Sequence, residues 1–257
     1  DGSSRMISDW VAGDQGLNGE VATGGPTSLS FGQQIDVADA PPSSRVTAIY
    51  LSSGKFIGYF PFNGSGQTGG IAMADVTSPT GSPSKSGGIH TTNVLTWGSG
   101  QTVFLKAGLV NGKYLLAGAM NIEKKIRIAE INPATGVPTE TASTAGSGTV
   151  SSLAVASIEG RTFVFGAEST AGLRVYEYAN GTLSLVGTLP GNYTEVVVRG
   201  NPLPILFVHS IVSLQNRESD IEAWDSNWIT RSGGNPAQAR RGAKLRHIGA
   251  PAGYLGG

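Results

Sequence analysis

Gly160-Arg161-Thr162-Phe163-Val164-Phe165-Gly166 is one copy of a pattern that recurs along this chain. Gly54-Lys55-Phe56-Ile57-Gly58-Tyr59-Phe60 and Gly112-Lys113-Tyr114-Leu115-Leu116-Ala117-Gly118 repeat it: a glycine, a cation, then a short apolar run. Each copy is followed by a polar loop and a second apolar run, beginning at Ile71, Ile126 and Leu173. A more diverged copy runs from Leu203 to His209 and resumes from Ile221 to Trp224. The apolar runs are short, rich in Val, Ile, Phe and Tyr, and punctuated by Gly, Pro, Asn and Ser, which reads as strand. No stretch keeps helical spacing over three turns, so helix is at most a minor component.

A period of about fifty residues built from short strands is the signature of propeller blades. The physical reason is burial. A twisted four-stranded sheet with two apolar faces cannot bury either alone, whereas sheets stacked around an axis bury both. The chain is therefore expected to be all-β, a β-propeller of four-stranded antiparallel blades. Four are recognisable, over about 45–98, 99–142, 147–189 and 192–250, with residues 1–44 as a partial blade or closing strands and 251–257 as a tail or the start of a further blade, the whole being either a small propeller or a fragment of a larger one. Third strands are expected to contain Ile71, Ile126, Leu173 and Ile221. Phe56, Tyr114, Phe163 and Leu206 are expected at equivalent buried positions on second strands. Asn-Gly occurs at Asn18, Asn63, Asn111 and Asn180. That dipeptide tolerates positive φ and suits a tight hairpin.

Ile221-Glu222-Ala223-Trp224-Asp225 resembles the end of a third strand in WD40 repeats. Leu173-Arg174-Val175-Tyr176-Glu177-Tyr178 followed by Asn180-Gly181-Thr182-Leu183 resembles the YVTN or lactonase-type propellers, as does Ile126 to Glu130 followed by Asn132-Pro133-Ala134-Thr135-Gly136. The Gly-His dipeptide of WD40 blades is missing. The resemblance implies architecture over residues 45–248 and carries no catalytic residue across.

Eighteen basic and eighteen acidic side chains cancel, which argues against a nucleic-acid or anionic-membrane partner. Arg240, Arg241, Lys244 and Arg246 read as a charged edge strand. The absence of cysteine excludes disulfides, thiolate catalysis and Cys-ligated zinc. No apolar run is long enough for a membrane span. Many glycines, crowded Ser and Thr and few charges point to an extracellular or periplasmic protein.

His90, His209 and His247 lie in different elements without ligand spacing, so no metal site and no cofactor are expected. A calcium held by backbone carbonyls in a propeller channel would leave no readable motif. His209 is expected to be partly buried and hydrogen-bonded, at the end of an inner strand facing the axial channel or an upper loop. Glu168, Glu218 and Asp220 fall in loops between second and third strands, which share one side of a propeller. A pair of such acids would need to lie about 5–10 Å apart to cleave a glycosidic bond. The longest such loop is read as Ile211–Asp220, with Gln215, Asn216, Arg217 and Glu218. Long loops on rigid scaffolds tend to carry function. Trp228 is placed in a turn, half-exposed, as an aromatic platform, and Trp97 near a sheet edge. Asn63, Asn180 and Asn192 fit the N-glycosylation pattern.

The function these residues imply is a non-enzymatic binding or assembly module that presents propeller loops to a protein or glycan. The alternatives are a lactonase- or glycosidase-like propeller hydrolase or lyase with an axial site, and a structural subunit of a surface assembly. The N-terminal segment supplies about two strands and the C-terminal tail almost none. The physiological object is therefore expected to be larger than this chain, through further polypeptide or self-association.

Overall fold

The computed structural model describes residues 35–36, 46–64, 68–75, 77, 89–90, 92–99, 102–200, 204–213 and 218–248. A short parallel pair joins β1 (Ile35–Asp36) to β5 (Ile89–His90). The remaining described strands form four antiparallel sheets of four strands each, in chain order. The first contains β2 (Thr47–Tyr50), β3 (Phe56–Gly64), β4 (Thr68–Asp75) and β6 (Thr92–Ser99). The second contains β7 (Thr102–Val110), β8 (Lys113–Met120), β9 (Lys125–Ile131) and β10 (Pro138–Ala145). The third contains β11 (Ser152–Ile158), β12 (Arg161–Ala167), β13 (Leu173–Ala179) and β14 (Thr182–Leu189). The fourth contains β15 (Tyr193–Arg199), β16 (Ile205–Ser213), β17 (Glu218–Trp224) and β18 (Arg241–Ile248). Ile71, Ile126, Leu173 and Ile221 all lie on third strands. First strands neighbour one another: β7 lies against β2 and β11, and β11 against β15. These are the blades of a β-propeller.

The recurring glycine is conformational. Gly54, Gly112 and Gly160 have φ of 81°, 76° and 77°, and a Cβ at any of them would meet nothing within 4 Å. The residue before two of them is left-handed as well, Asn111 at 50° and Glu159 at 50°. Two successive positive φ values give the turn whose twist matches a hairpin. Asn180-Gly181 does the same at 51° and 71°. Asn63-Gly64 does not make a turn: both lie in β3, where Asn63 pairs with Gly69. Asn18 lies outside the described residues.

Between the sheets lie apolar layers. Ile57, Tyr59 and Ile71 meet Leu105, Leu116 and Met120. Leu115, Ala117 and Ile126 meet Leu153, Val164 and Tyr176. Phe163, Phe165 and Val175 meet Val196, Leu206 and Val208. The equivalent buried positions on the first three second strands are Ile57, Leu115 and Phe163, each 0% exposed. The expected set Phe56, Tyr114, Phe163 and Leu206 is therefore out of register. Phe163 stands one residue further from its glycine than Phe56 and Tyr114 do from theirs. One residue reverses the face of a strand, so Phe56 and Tyr114 are only half-buried. Phe56 stacks on exposed Tyr50 at 4.3 Å. Leu206 is buried but faces the preceding sheet, as Leu116 and Val164 do.

Polar latches tie the layers. Thr47 Oγ1 on the first sheet accepts from Ala107 N on the second at 3.1 Å, and Ser152 Oγ accepts from Val196 N at 3.2 Å. Tyr59 donates its hydroxyl to Gly136 O at 2.7 Å, and Tyr178 donates to Thr141 Oγ1 at 2.8 Å. Trp97 lies on β6, the outermost strand of the first sheet, as expected, and is buried there with its ring over Gly118, where a Cβ would fall 2.1 Å from it.

Truncating Phe163 to Ala should lower unfolding free energy by about 3–5 kcal/mol, the usual range for a buried aromatic. Phe56→Ala should cost less than half as much. Denaturant melts of both variants check the assignment, and equal losses would restore the original register.

Candidate functional site

Glu168 follows directly on β12 and its side chain turns inward, 0% exposed. Its Oε2 accepts from Ser147 N at 2.7 Å and Gly148 N at 3.2 Å. Its Oε1 accepts the Tyr176 hydroxyl at 2.5 Å. Arg174 Nη1 stands 3.5 Å from Oε2 and also donates to Ser147 Oγ. The glycines of Gly146-Ser147-Gly148 let the link between second and third sheets close over this carboxylate. A Cβ on Gly148 would fall 2.5 Å from the Glu168 carbonyl oxygen. Burial, then the hydrogen bond to Glu168, pushes the Tyr176 hydroxyl far above the ordinary tyrosine range. Glu168 is thus an anchor between blades, already saturated with donors.

Asp220 and Glu222 share a face of β17 and are 1% and 6% exposed. Lys244 Nζ lies 2.5 Å from Asp220 Oδ2 and 3.4 Å from Glu222 Oε1. Arg241 lies 3.2 Å from Glu222, whose other oxygen accepts Trp224 Nε1 at 2.9 Å. Two members of the basic run on β18 thereby neutralise the acids on β17. Among the described residues, no group of three His, Asp or Glu could hold a metal ion.

Of the other sequence candidates, the loop and Trp228 are placed differently from expectation. The expected loop Ile211–Asp220 is largely ladder: Ile211 pairs with Ser219 and Ser213 with Glu218. Gln215, Asn216 and Arg217 lie outside the described residues, as does the Glu218 side chain. His209 is within β16, on a sheet face and half-buried, sharing a 2.6 Å hydrogen bond between its Nδ1 and Thr194 Oγ1. It does not line the axis, because second strands stand one place out from it. Trp228 is 0% exposed and sits in α1 (Asn227–Thr230), packed against the third sheet, where a Cβ on Gly187 would fall 2.8 Å from its ring. A fully buried indole cannot stack on a ligand. The excursion that matters in this blade is thus Asp225–Arg240, between β17 and β18.

What the strands do bring together is one open face. Side chains alternate across a sheet, so Val196, Leu206 and Val208 face the third sheet and are buried. Their neighbours face forward in two rows. Glu195, His209, Ile221 and Leu245 are mutual partners across the four strands, as are Val197, Phe207 and Ala223 across three, with Arg199 opposite Ile205 beyond. Ile205 is 46% exposed, Phe207 37%, Ile221 50% and Leu245 70%. On the first three sheets the forward positions Ile57, Leu115 and Phe163 are each 0% exposed, because another sheet follows. The rear face of the first sheet, with Phe60, Phe62, Ala72 and Ala74, is buried too, and no residue of the fourth sheet belongs to that cluster. No single motif marks the open face. Its signal was the unbroken apolar runs of β15 and β16, which announce a sheet apolar on both sides.

No family model matches this chain, and no curated protein matches it. Solved structures do. A Lactobacillus plantarum protein aligns over 80% of this chain and 56% of its own, with 15% identity and a TM-score of 0.54. An α-L-arabinofuranosidase from Lactobacillus brevis aligns over 79% and 74%, with 11% identity and a TM-score of 0.49. An exo-β-1,3-galactanase from Phanerochaete chrysosporium aligns over 78% and 51%, with 10% identity and a TM-score of 0.45. This chain thus spans about half the length of two of these three. The likeness to the Lactobacillus plantarum protein supports the fold and nothing finer. Among the described residues, no helix is long and apolar enough to cross a membrane.

Removing the Glu168 carboxylate should strand two backbone N–H groups, a tyrosine hydroxyl and a guanidinium. Glu168→Ala is expected to cost about 3–5 kcal/mol, and Tyr176→Phe about 1–3 kcal/mol. Equilibrium unfolding of both checks this. An unchanged Glu168→Ala midpoint would return the residue to the list of ligand-binding candidates.

Proposed function

We propose that this chain is a non-enzymatic binding and assembly module, and that its docking surface is the forward face of the fourth sheet. The observation that supports this reading is the exposure of Ile205, Phe207, Ile221 and Leu245 on a face built like covered ones. Contiguous exposed apolar area of this kind marks interaction surfaces. Its chemistry favours a protein over a glycan. A sugar needs many fixed hydrogen-bond donors and acceptors beside an aromatic platform. This face offers aliphatic side chains, one phenylalanine and three polar groups, Glu195, His209 and Arg199.

A hydrolase would need two carboxylates aimed at a common open pocket. Glu168, Asp220 and Glu222 are instead buried in inter-sheet or inter-strand contacts with cations and amide groups. That use of the acids further supports the binding reading.

Phe207→Asp should leave the melting temperature nearly unchanged, because the side chain is partly in water already, and should reduce binding of a hydrophobic dye severalfold. Val208→Asp, one residue away on the buried face, should unfold the chain. Aryl glycosides and lactones should not be turned over. Turnover that is lost in Asp220→Asn would overturn the reading in favour of an enzyme.

A further inference from the structure

β18 is the outermost strand of the fourth sheet, and among the described residues it pairs with β17 alone. The chain has no cysteine, so no disulfide can fix it there. A lysine facing two buried carboxylates stands at this seam instead. Lys244 Nζ on β18 lies 2.5 Å from Asp220 Oδ2 and 3.4 Å from Glu222 Oε1, both on β17. The side chains of Asp220 and Glu222 are 0% and 8% exposed, and that of Lys244 is 32% exposed. Val208, opposite Glu222 on β16, is fully buried and gives the cluster an apolar wall. Arg241 and Trp224 Nε1 hold the Glu222 carboxylate in place. An ion pair needs one carboxylate. The second sets a base beside the amine.

We propose that this cluster modifies itself: Lys244 and Asp220 condense into an isopeptide bond, with Glu222 as the proton carrier. In water an ammonium and a carboxylate do not condense, because the first has no lone pair and the second is a poor electrophile. Two charges withdrawn from water cost free energy that their attraction repays only in part. Passing one proton from Nζ to the Asp220 carboxylate leaves a neutral amine against a neutral acid. The Nζ lone pair attacks Cγ, and the N–C bond forms. A second proton leaves Nζ for Glu222 and passes to the Asp220 oxygen that departs. The Cγ–O bond breaks, and that oxygen leaves as water with both protons. One proton remains on the amide nitrogen, Glu222 ends as it began, and no other reactant is consumed. Adjacent strands hold the reacting groups together, which replaces a collision between free molecules. The exposed third of Lys244 gives the water a way out. The bond closes residues 220–244 into a covalent loop, which narrows the unfolded ensemble and keeps β18 from peeling away.

Wild-type protein decides this without any variant. Its intact mass under denaturing conditions should be one water below the mass of its sequence. Trypsin should release a branched peptide that unites residues 218–231 with residues 242–246 through Asp220 and Lys244. A folded wild-type chain that keeps its full sequence mass after prolonged incubation would refute the bond.

Two variants separate the bond from a plain ion pair. Lys244→Arg keeps a cation beside both acids and lacks the amine. It should retain its full mass and melt at a lower temperature than wild type. A Lys244→Arg chain that is also one water light would place the dehydration elsewhere and overturn the assignment. Glu222→Gln keeps the amine and Asp220 and loses the proton carrier. Freshly purified and with the circular dichroism of the wild type, it should lose water at least about a hundredfold more slowly. Loss at the wild-type rate would overturn the part given to Glu222.

Discussion

Everything in this molecule depends on one constraint: each sheet is apolar on both faces, so a sheet buries all of its apolar surface only with a neighbour on each side. The layers between the sheets consist of side chains contributed alternately forward and backward from the same strands. Leu115 and Leu116 are adjacent in β8 and serve different layers. Val164 and Phe163 in β12 do likewise. Such a chain has no single core. Its stability is a chain of nearest-neighbour terms. Among the described residues, the fourth sheet turns Ile205, Phe207, Ile221 and Leu245 to water.

The same constraint explains where the charged groups went. In a propeller with thin links between blades, the links carry backbone donors that must be satisfied where water is scarce. Glu168 supplies acceptors to Ser147 N and Gly148 N from the next blade, and Tyr176 and Arg174 complete its shell. Tyr178 bridges the second and third sheets at Thr141 and Glu130. Lys113 and then Tyr178 hold the Glu130 carboxyl below the usual glutamate range. A lowered value stabilises the folded state above the ordinary glutamate pKa, and that contribution is lost as pH falls through the lowered one. The tie between these blades therefore weakens on acidification. Acids that look, in the sequence, like residues waiting for a substrate are here part of the scaffold.

The repeat was legible because its punctuation is forced by backbone geometry. Positive φ at Gly112, Gly160 and Gly181 leaves few alternatives to glycine, so the hairpins can be found and the third strands counted from them. The face of each residue was less legible. Arg161 is followed by Thr162 before the apolar run begins, whereas Lys113 and Lys55 are followed directly by an aromatic. Aligning by hydrophobicity rather than by distance from the glycine shifts the register by one and reverses every side chain. Trp228 was misread for a related reason. The residues around it resemble a polar turn, yet they form a short helix that folds back on Gly187 and buries the indole. Only long-range packing decides that.

The open face was the least legible feature, and the reason is physical. Exposure is not a property of a strand. Ile205-Leu206-Phe207-Val208 reads as an interior strand, and by composition it is one. Whether Phe207 is covered depends on a neighbour that no local pattern encodes. What local pattern does encode is compatibility with such a neighbour.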